Sequence, residues 1–320
     1  MAESFEMLIV GAGPAGLTAG LYGSRSNLKT IILERGLPGG ELLNTEAIED
    51  YTGFEHITGV ELARLMENHA RKFGVEIRTG EDEEVKSVRK AGDYFEVKTN
   101  EHEYQALTVI ATAGGTPYKL GVPGEETFHG RGVSYCAVCD GAFFNGQVIT
   151  VVGGGDAAVE EANYLTRFGS KVFVVHRRDS FRAQKVLQDQ LLKNPKVEVI
   201  WDTVVEEIKG DKEVSHMVLR NMKTDRIFEH PTEGVFIFIG FQPNTYFLDD
   251  HPEHDVSGHL ITNERMETNI PGLYAAGDLR SQLVRQITNA VGDATVAALA
   301  AEKYITHFYH TRSAAPEVAS

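Results

Sequence analysis

The chain has 320 residues, 31 Lys and Arg against 46 Asp and Glu, a formal net charge of −15, 42% hydrophobic and 24% charged residues. Such a chain can bury about two cores of its own and needs neither disulfide staples nor a structural metal. Its acidic balance opposes binding to phosphate backbones, which takes clustered Lys and Arg, so nucleic acid is not expected as a partner.

The first six residues carry no basic run, and the apolar stretch 7–10 passes straight into glycines, so neither a secretory leader nor a membrane span is expected there. A cytoplasmic protein is predicted. Residues 7–10 read as a strand leading into Gly11-Ala12-Gly13-Pro14-Ala15-Gly16, a helix, and a second strand over 30–33 ending at Glu34. The layout recurs: strand 148–152, then Gly153-Gly154-Gly155-Asp156-Ala157-Ala158, a helix to about Phe168, and strand 171–175 ending at His176. In both, the second strand ends 23 residues after the first glycine. Glycines in this context let backbone N–H groups approach a pyrophosphate, and the helix N-terminus adds positive potential. Two dinucleotide-binding units are therefore predicted.

Stretches 84–98 and 213–228 read as small antiparallel strands. Gly114-Gly115-Thr116-Pro117 and Gln242-Pro243-Asn244 interrupt the pattern and mark two chain crossings. The predicted fold class is α/β, with two Rossmann-like dinucleotide-binding domains, the second (118–244) inserted in the first (1–117 with 245–320). Gly272 to Asp278 reads as a buried strand delivering an Asp to a loop. Arg285-Gln286 then opens a helix lined by Ala290, Gly292, Ala294, Ala297, Ala298, Ala300 and Ala301, a stripe that on its own means tight packing. The tail from about His310 is expected to be disordered.

The end of each second strand selects the nucleotide. Glu34 suits the ribose hydroxyls of FAD or NAD, whereas His176-Arg177-Arg178 with Arg182 suits the 2′-phosphate of NADP. Gly277-Asp278 supports FAD in the first unit, because an Asp from a second segment can bond the ribityl and pyrophosphate end of an extended flavin. The only cysteines are Cys136 and Cys139, a close pair that points to catalysis, redox sensing or half a metal site. Zinc takes about four ligands; there is no second pair, and the nearest histidine, His129, is poorly spaced. Cysteines three apart can close a small, reducible disulfide, and Asp140 beside them can protonate a leaving thiolate, or else simply cap a helix starting near Gly141.

Taken together, Gly11 to Gly16, Cys136-Ala137-Val138-Cys139-Asp140-Gly141, Gly153 to Ala158 with His176-Arg177-Arg178 and Arg182-Ala183, and Gly277-Asp278 with Arg285-Gln286 closely resemble the low-molecular-weight bacterial thioredoxin reductases, over about residues 6–305. The resemblance implies a homodimeric flavoprotein with FAD held by both chain ends, NADPH held by the inserted domain, and a rotation of that domain absorbed at the two crossings. It further implies electron flow from NADPH through FAD and the Cys136–Cys139 disulfide to thioredoxin, with Asp140 as proton donor and acceptor and Arg131 near the thioredoxin contact. Cofactor contacts implied in the same way are Gly11, Gly13, Pro14, Ala15, Gly16, Glu34, Gly40, Glu41, Thr45, Asp50, Gly114, Gly277, Asp278, Arg285 and Gln286 for FAD, and Gly153, Gly155, Asp156, Ala157, His176, Arg177, Arg178 and Arg182 for NADPH.

The chain departs from that pattern in carrying Glu41 where Gln is common and Asp50-Tyr51-Thr52-Gly53 where an Asn-aromatic-Pro-Gly run is common; Asn289 and Ala294 also differ. Two added carboxylates near a flavin are expected to lower its potential. Other readings of the same residues are a flavin oxidase of small dithiols, a reductase of another small redox protein, or a nucleotide-sensing regulator. Arg177, Arg178 and Arg182 favour a reductase fed by NADPH.

Overall fold

The computed structural model describes residues 2–45 and 47–313. The chain divides into two compact units, one of Met1–Thr116 with Gln242–Ser320 and one of Pro117–Phe241.

The first unit opens with β1 (Glu3–Val10), α1 (Pro14–Arg25) and β2 (Thr30–Glu34), followed by a 3₁₀ turn (Gly40–Asn44), α2 (Gly59–Lys72), β3 (Glu76–Thr79), β4 (Val85–Ala91), β5 (Tyr94–Thr99) and β6 (Glu103–Ala111). β7 (Gly115–Pro117) leads out of it. Both faces of the sheet are covered, which is why 7–10 and 31–33 read as unbroken apolar runs. Met7 and Ile9 pack towards the helices, while Leu8 and Val10 join Val88, Phe95 and Val97 of the antiparallel β4–β5 pair on the other face.

The second unit holds β8 (Val133–Ser134), α3 (Ala137–Asp140), β9 (Val148–Gly153), α4 (Asp156–Leu165), β10 (Lys171–Val175), α5 (Lys185–Leu192), β11 (Val197–Ile200), β12 (Thr203–Gly210), β13 (Val214–Asn221), β14 (Ile227–Pro231) and β15 (Gly234–Phe238). Its central sheet has the order β11-β10-β9-β15-β8 and is parallel throughout. Val151 and Val174 face Val159, Ala162 and Leu165 of α4, whereas Val152 and Val175 face Met217 and Leu219 of the antiparallel β12-β13-β14 sheet.

β16 (Phe241–Pro243) pairs with β7, and β17 (Leu273–Ala275) then adds to β6 in parallel, completing a seven-stranded sheet of order β3-β2-β1-β6-β5-β4. Helix α6 (Ile287–Ser313) follows, with Ala290, Ala294, Ala297, Ala298 and Ala301 buried in the same core as α1. The small-residue stripe is thus helix packing. The segment from His310, expected to be disordered, is helical through Ser313, and 314–320 lie outside the described residues. Among the described residues, no helix is long and apolar enough to cross a membrane.

One buried histidine ties the two layers of the second unit together. His230 of β14 sets its ring edge-on to Phe173 of β10 at 4.5 Å, with Nε2 3.2 Å from Thr150 Oγ1 of β9. Burial holds its pKa below the ordinary 6.5. The unfolded chain therefore binds the proton more readily, so stability from this group is present above pH 6.5 and is lost as the pH falls below it. Thermal melts taken from about pH 7.5 down to about pH 5.5 should show a falling Tm, and His230→Gln should fall by less over the same range.

Candidate active site

In the first unit, the turn after β1 leaves no room for side chains on its inner side. Gly11 has φ +104°, and a Cβ there would lie 2.8 Å from the Thr112 carbonyl oxygen; a Cβ at Gly16 would lie 1.8 Å from that of Gly11. At Gly13 a Cβ would meet only Gly40 Cα, at 3.8 Å, so this side is open backbone. Pro14 starts α1, and Gly13 caps it without any side-chain bond, so the first N–H groups, those of Ala15 and Gly16 included, face outward along the helix axis. Glu34 accepts from the Ala12 N–H at 2.7 Å with one carboxylate oxygen and from the Gly36 N–H at 2.9 Å with the other. The carboxylate is fixed beside the turn, and each oxygen keeps a lone pair for a ribose diol. A dinucleotide of the FAD or NAD type fits this cradle.

Gly277, at φ +81°, brings the turn after β17 onto the same helix start: a Cβ there would lie 3.2 Å from that of Ala15. Burial pushes the Asp278 carboxyl up to about 6; Arg285 opposes the rise, and Glu41 and Asp293 add to it. The structure therefore gathers Gly11 to Gly16, Glu34, Gly40, Glu41, Gly277, Asp278 and Arg285. Thr45 Oγ1 donates to the Glu41 carbonyl oxygen at 2.9 Å, and Gln286 supplies the carbonyl for Ala290 N–H just ahead of α6. The Gly114 carbonyl oxygen accepts from Asn244 N–H at 3.0 Å. Asp50 is exposed in the loop closed by the Ile48–Ile57 bridge, and among the described residues no hydrogen bond ties its side chain to the glycine turn.

In the second unit, a Cβ on Gly153 would lie 2.3 Å from the Phe238 carbonyl oxygen, whereas one on Gly155 would meet nothing within 4 Å. Gly155 caps α4 with no side-chain bond, and Ala157 is exposed in the first turn. Arg177, Arg178 and Arg182 are exposed, and Arg182 N–H donates to the Gly154 carbonyl oxygen at 2.8 Å, which folds the basic segment back onto the turn. A 2′-phosphorylated dinucleotide fits this donor set. His176 has a different place from the one its position implied: its ring lies under Gly154, where a Cβ would come within 2.2 Å of Cε1. Burial holds its pKa below the ordinary value, so it supports the turn as a neutral ring. Asp156, itself exposed, accepts from Gln184 N–H at 2.7 Å.

The same unit carries the redox pair. Cys136 and Cys139 form a disulfide with Cα atoms 5.3 Å apart. Cys136 caps α3, and its Sγ accepts from the Cys139 N–H at 3.1 Å. Asp140 stands ahead of a 3₁₀ turn (Gly141–Phe144) without capping it through its side chain; its Oδ2 is instead 2.5 Å from Ser134 Oγ.

A profile of the family described as "Pyridine nucleotide-disulphide oxidoreductase" matches residues 5–294. The chain is 47% identical over 308 residues to the thioredoxin reductase of Bacillus subtilis (strain 168), with 96% of each covered. Its structure is similar to that of the thioredoxin reductase from Streptococcus pyogenes MGAS5005, at 49% identity and a TM-score of 0.92, covering 96% of this chain and 100% of that one. A thioredoxin reductase from Giardia duodenalis gives 34% identity and a TM-score of 0.89, covering 95% and 99%. The chain belongs to the pyridine nucleotide-disulphide oxidoreductase family.

Sequence reasoning missed four residues that hold the site of this oxidoreductase together: Ser134, His259, Arg280 and Asp293. Ser134 holds Asp140. His259, buried, has Nε2 2.9 Å from Arg285 Nη2. Asp293 receives Arg280 through two bonds, at 3.1 and 3.2 Å, and lies 3.3 Å from the Gly277 N–H. An acidic residue in the small-residue stripe was the available signal for Asp293. Arg280 and Asp293 are both largely buried, at 16% and 7% side-chain exposure. Arg280→Ala should destabilise the protein by about 3 kcal/mol or more by stranding Asp293, and should loosen the Gly277 turn; denaturant unfolding and the flavin content of the purified protein check both.

Proposed function

We propose that this protein is a thioredoxin-disulfide reductase that passes electrons from NADPH through FAD and the Cys136–Cys139 disulfide to thioredoxin. The observation that carries the reading is a disulfide at the N-terminus of α3, with an acid beside it, in a unit that also bears a glycine turn and a basic segment. The relatives' names point the same way. The unit made of both chain ends would hold FAD through the first glycine turn, Glu34, Asp278 and Arg285, with Gly40, Glu41, Thr45, Asp50, Gly114 and Gln286 around them. The inserted unit would hold NADPH through Gly153, Gly155, Ala157, Arg177, Arg178 and Arg182. The protein acts as a homodimer in the cytoplasm; Val296 and Leu299 on α6, both exposed and apolar, are surfaces that a second copy would cover.

FAD and NADPH, when bound, supply hydride and electron-transfer chemistry. The chain's own residues do the rest. Reduction of the disulfide takes two electrons and two protons, and Asp140, next in sequence to Cys139, would deliver a proton to a leaving sulfur. In the dithiol, the Cys139 N–H and the start of α3 hold negative charge on the Cys136 sulfur, which makes Cys136 the thiolate that attacks the partner disulfide. Cys139 then resolves the mixed disulfide. The net reaction is NADPH + H⁺ + disulfide → NADP⁺ + dithiol.

Under anaerobic conditions NADPH should bleach the flavin, NADH should do so poorly, and oxidised thioredoxin should restore the colour. Cys139→Ser should still bleach but fail to turn over thioredoxin. Bleaching without recovery would move the acceptor elsewhere, and no bleaching by either nucleotide would refute the reading. Replacing Arg177 and Arg178 together by Ala should raise the KM for NADPH about tenfold or more, the loss of charge-assisted bonds to a phosphate, and leave that for NADH nearly unchanged in steady-state kinetics.

A further inference from the structure

We infer that Ser134 is the positioning residue that keeps Asp140 hydrogen-bonded in both of its protonation states, so that the acid can give up and regain a proton beside the disulfide without losing its partner. The inference rests on the disulfide-reductase reading above. Ser134 ends the short strand β8, pairs in register with Phe236 of β15, and is 3% exposed, so its Oγ sits on a rigid element. Three polar atoms surround that oxygen: Asp140 Oδ2 at 2.5 Å, the Cys136 N–H at 3.0 Å and the Cys136 carbonyl oxygen at 3.2 Å.

A serine hydroxyl has one hydrogen and two lone pairs. With Asp140 ionised, the hydrogen points at Oδ2 while a lone pair accepts the Cys136 N–H. With Asp140 protonated, the acid donates to Oγ and the serine hydrogen turns to the Cys136 carbonyl oxygen. Only the hydroxyl rotates; backbone and carboxyl stay in place. Neither state leaves the serine hydroxyl or the facing carboxyl oxygen unpartnered, which would cost about 1–3 kcal/mol.

The steps balance. When the Cys136–Cys139 bond takes up an electron pair from the reducing cofactors, the sulfur that leaves as thiolate takes the proton of Asp140, which becomes a carboxylate. In the exchange, the Cys136 thiolate's electron pair forms a bond to one sulfur of the acceptor disulfide, and the acceptor's other sulfur departs with the pair of the broken bond. Asp140 then takes back the proton of the Cys139 thiol as that sulfur's pair forms the bond to Cys136, and the first acceptor sulfur leaves with the pair of the mixed disulfide.

The test uses the purified flavoprotein reduced with dithiothreitol and freed of excess reductant, and follows its exchange with 5,5′-dithiobis(2-nitrobenzoate), which requires neither NADPH nor thioredoxin. Ser134→Ala should slow the exchange about tenfold, as expected for a lost hydrogen bond to a charged group. Ser134→Thr, which keeps the hydroxyl, should restore it, and in an Asp140→Asn background Ser134→Ala should have no further effect. Wild-type rates in Ser134→Ala, equal loss in the Thr and Ala variants, or additive loss with Asp140→Asn would each overturn the inference. If the Ala variant does not fold, infrared difference spectra of the wild type on reduction carry the test, with the Asp140 band assigned through Asp140→Asn. A hydrogen-bonded carboxyl in the oxidised state that becomes a hydrogen-bonded carboxylate on reduction supports the inference, and an Asp140 band that does not change its protonation state, or one free of hydrogen bonds in either state, overturns it. A wild type that exchanges as described but does not reduce thioredoxin with NADPH counts against the functional reading alone.

Discussion

The strands that deliver site residues pair with one another in parallel, and this pairing puts the chemistry on one edge of each sheet. In the first unit Val10 pairs with Leu33 and with Ala111, and Ala111 pairs with Ala275. The residues that follow, Gly11, Glu34, Thr112 and Ala276-Gly277, consequently emerge at one level. In the second unit Val152 pairs with Val175 and Ile237, and Phe236 with Ser134, so Gly153, His176 and the redox pair emerge together in the same way. Antiparallel neighbours would send successive strand ends to opposite edges. Parallel connections need helical crossovers, and the same crossovers supply the helix N-termini that close each turn.

Close approach at that edge has to be reconciled with satisfied polar groups. The glycines permit the approach, since Gly16 and Gly153 would place a Cβ within 2.3 Å of a carbonyl oxygen. Several polar groups brought in with them find partners inside the protein. Thr112 Oγ1 donates within 2.9 Å of the Val10 and Gly11 carbonyl oxygens, Glu34 takes two backbone N–H groups, and Asp293 takes Arg280 and the Gly277 N–H. Each such bond fixes a group that would otherwise be costly to bury, and so converts the cost of burial into a defined geometry. Ser134 holds Asp140 as Arg280 holds Asp293, with a neutral hydroxyl in place of a charge.

Much of this was legible along the chain. Short apolar runs and the glycine turns that follow them located β1, β2, β9 and β10 to within a few residues and placed a helix after each turn, because local sterics and burial on both faces specify those elements. The limits were at element ends: α4 stops at Leu165, before Phe168, α6 begins at Ile287, after Arg285-Gln286, and the helix continues past His310. Those ends depend on packing against neighbours that no local pattern reveals. The same holds for side-chain direction. His176 and Asp156 sit in register with a nucleotide motif, yet one turns under Gly154 and the other to Gln184.

By itself the sequence determined the two nucleotide-type turns, the acidic and basic ends that distinguish them, the single cysteine pair and the acid beside it. All of these are short-range patterns, in which the residue type and spacing already state the chemistry. Tertiary structure alone decided which polar residues hold them: Ser134 against Asp140, His259 against Arg285, and Arg280 against Asp293 from opposite sides of a turn. His259 and Arg285 are 26 residues apart, and Arg280 and Asp293 are 13, with no periodicity linking the members of either pair. Their meeting follows from parallel strand register and helix packing, which only the folded chain brings into being.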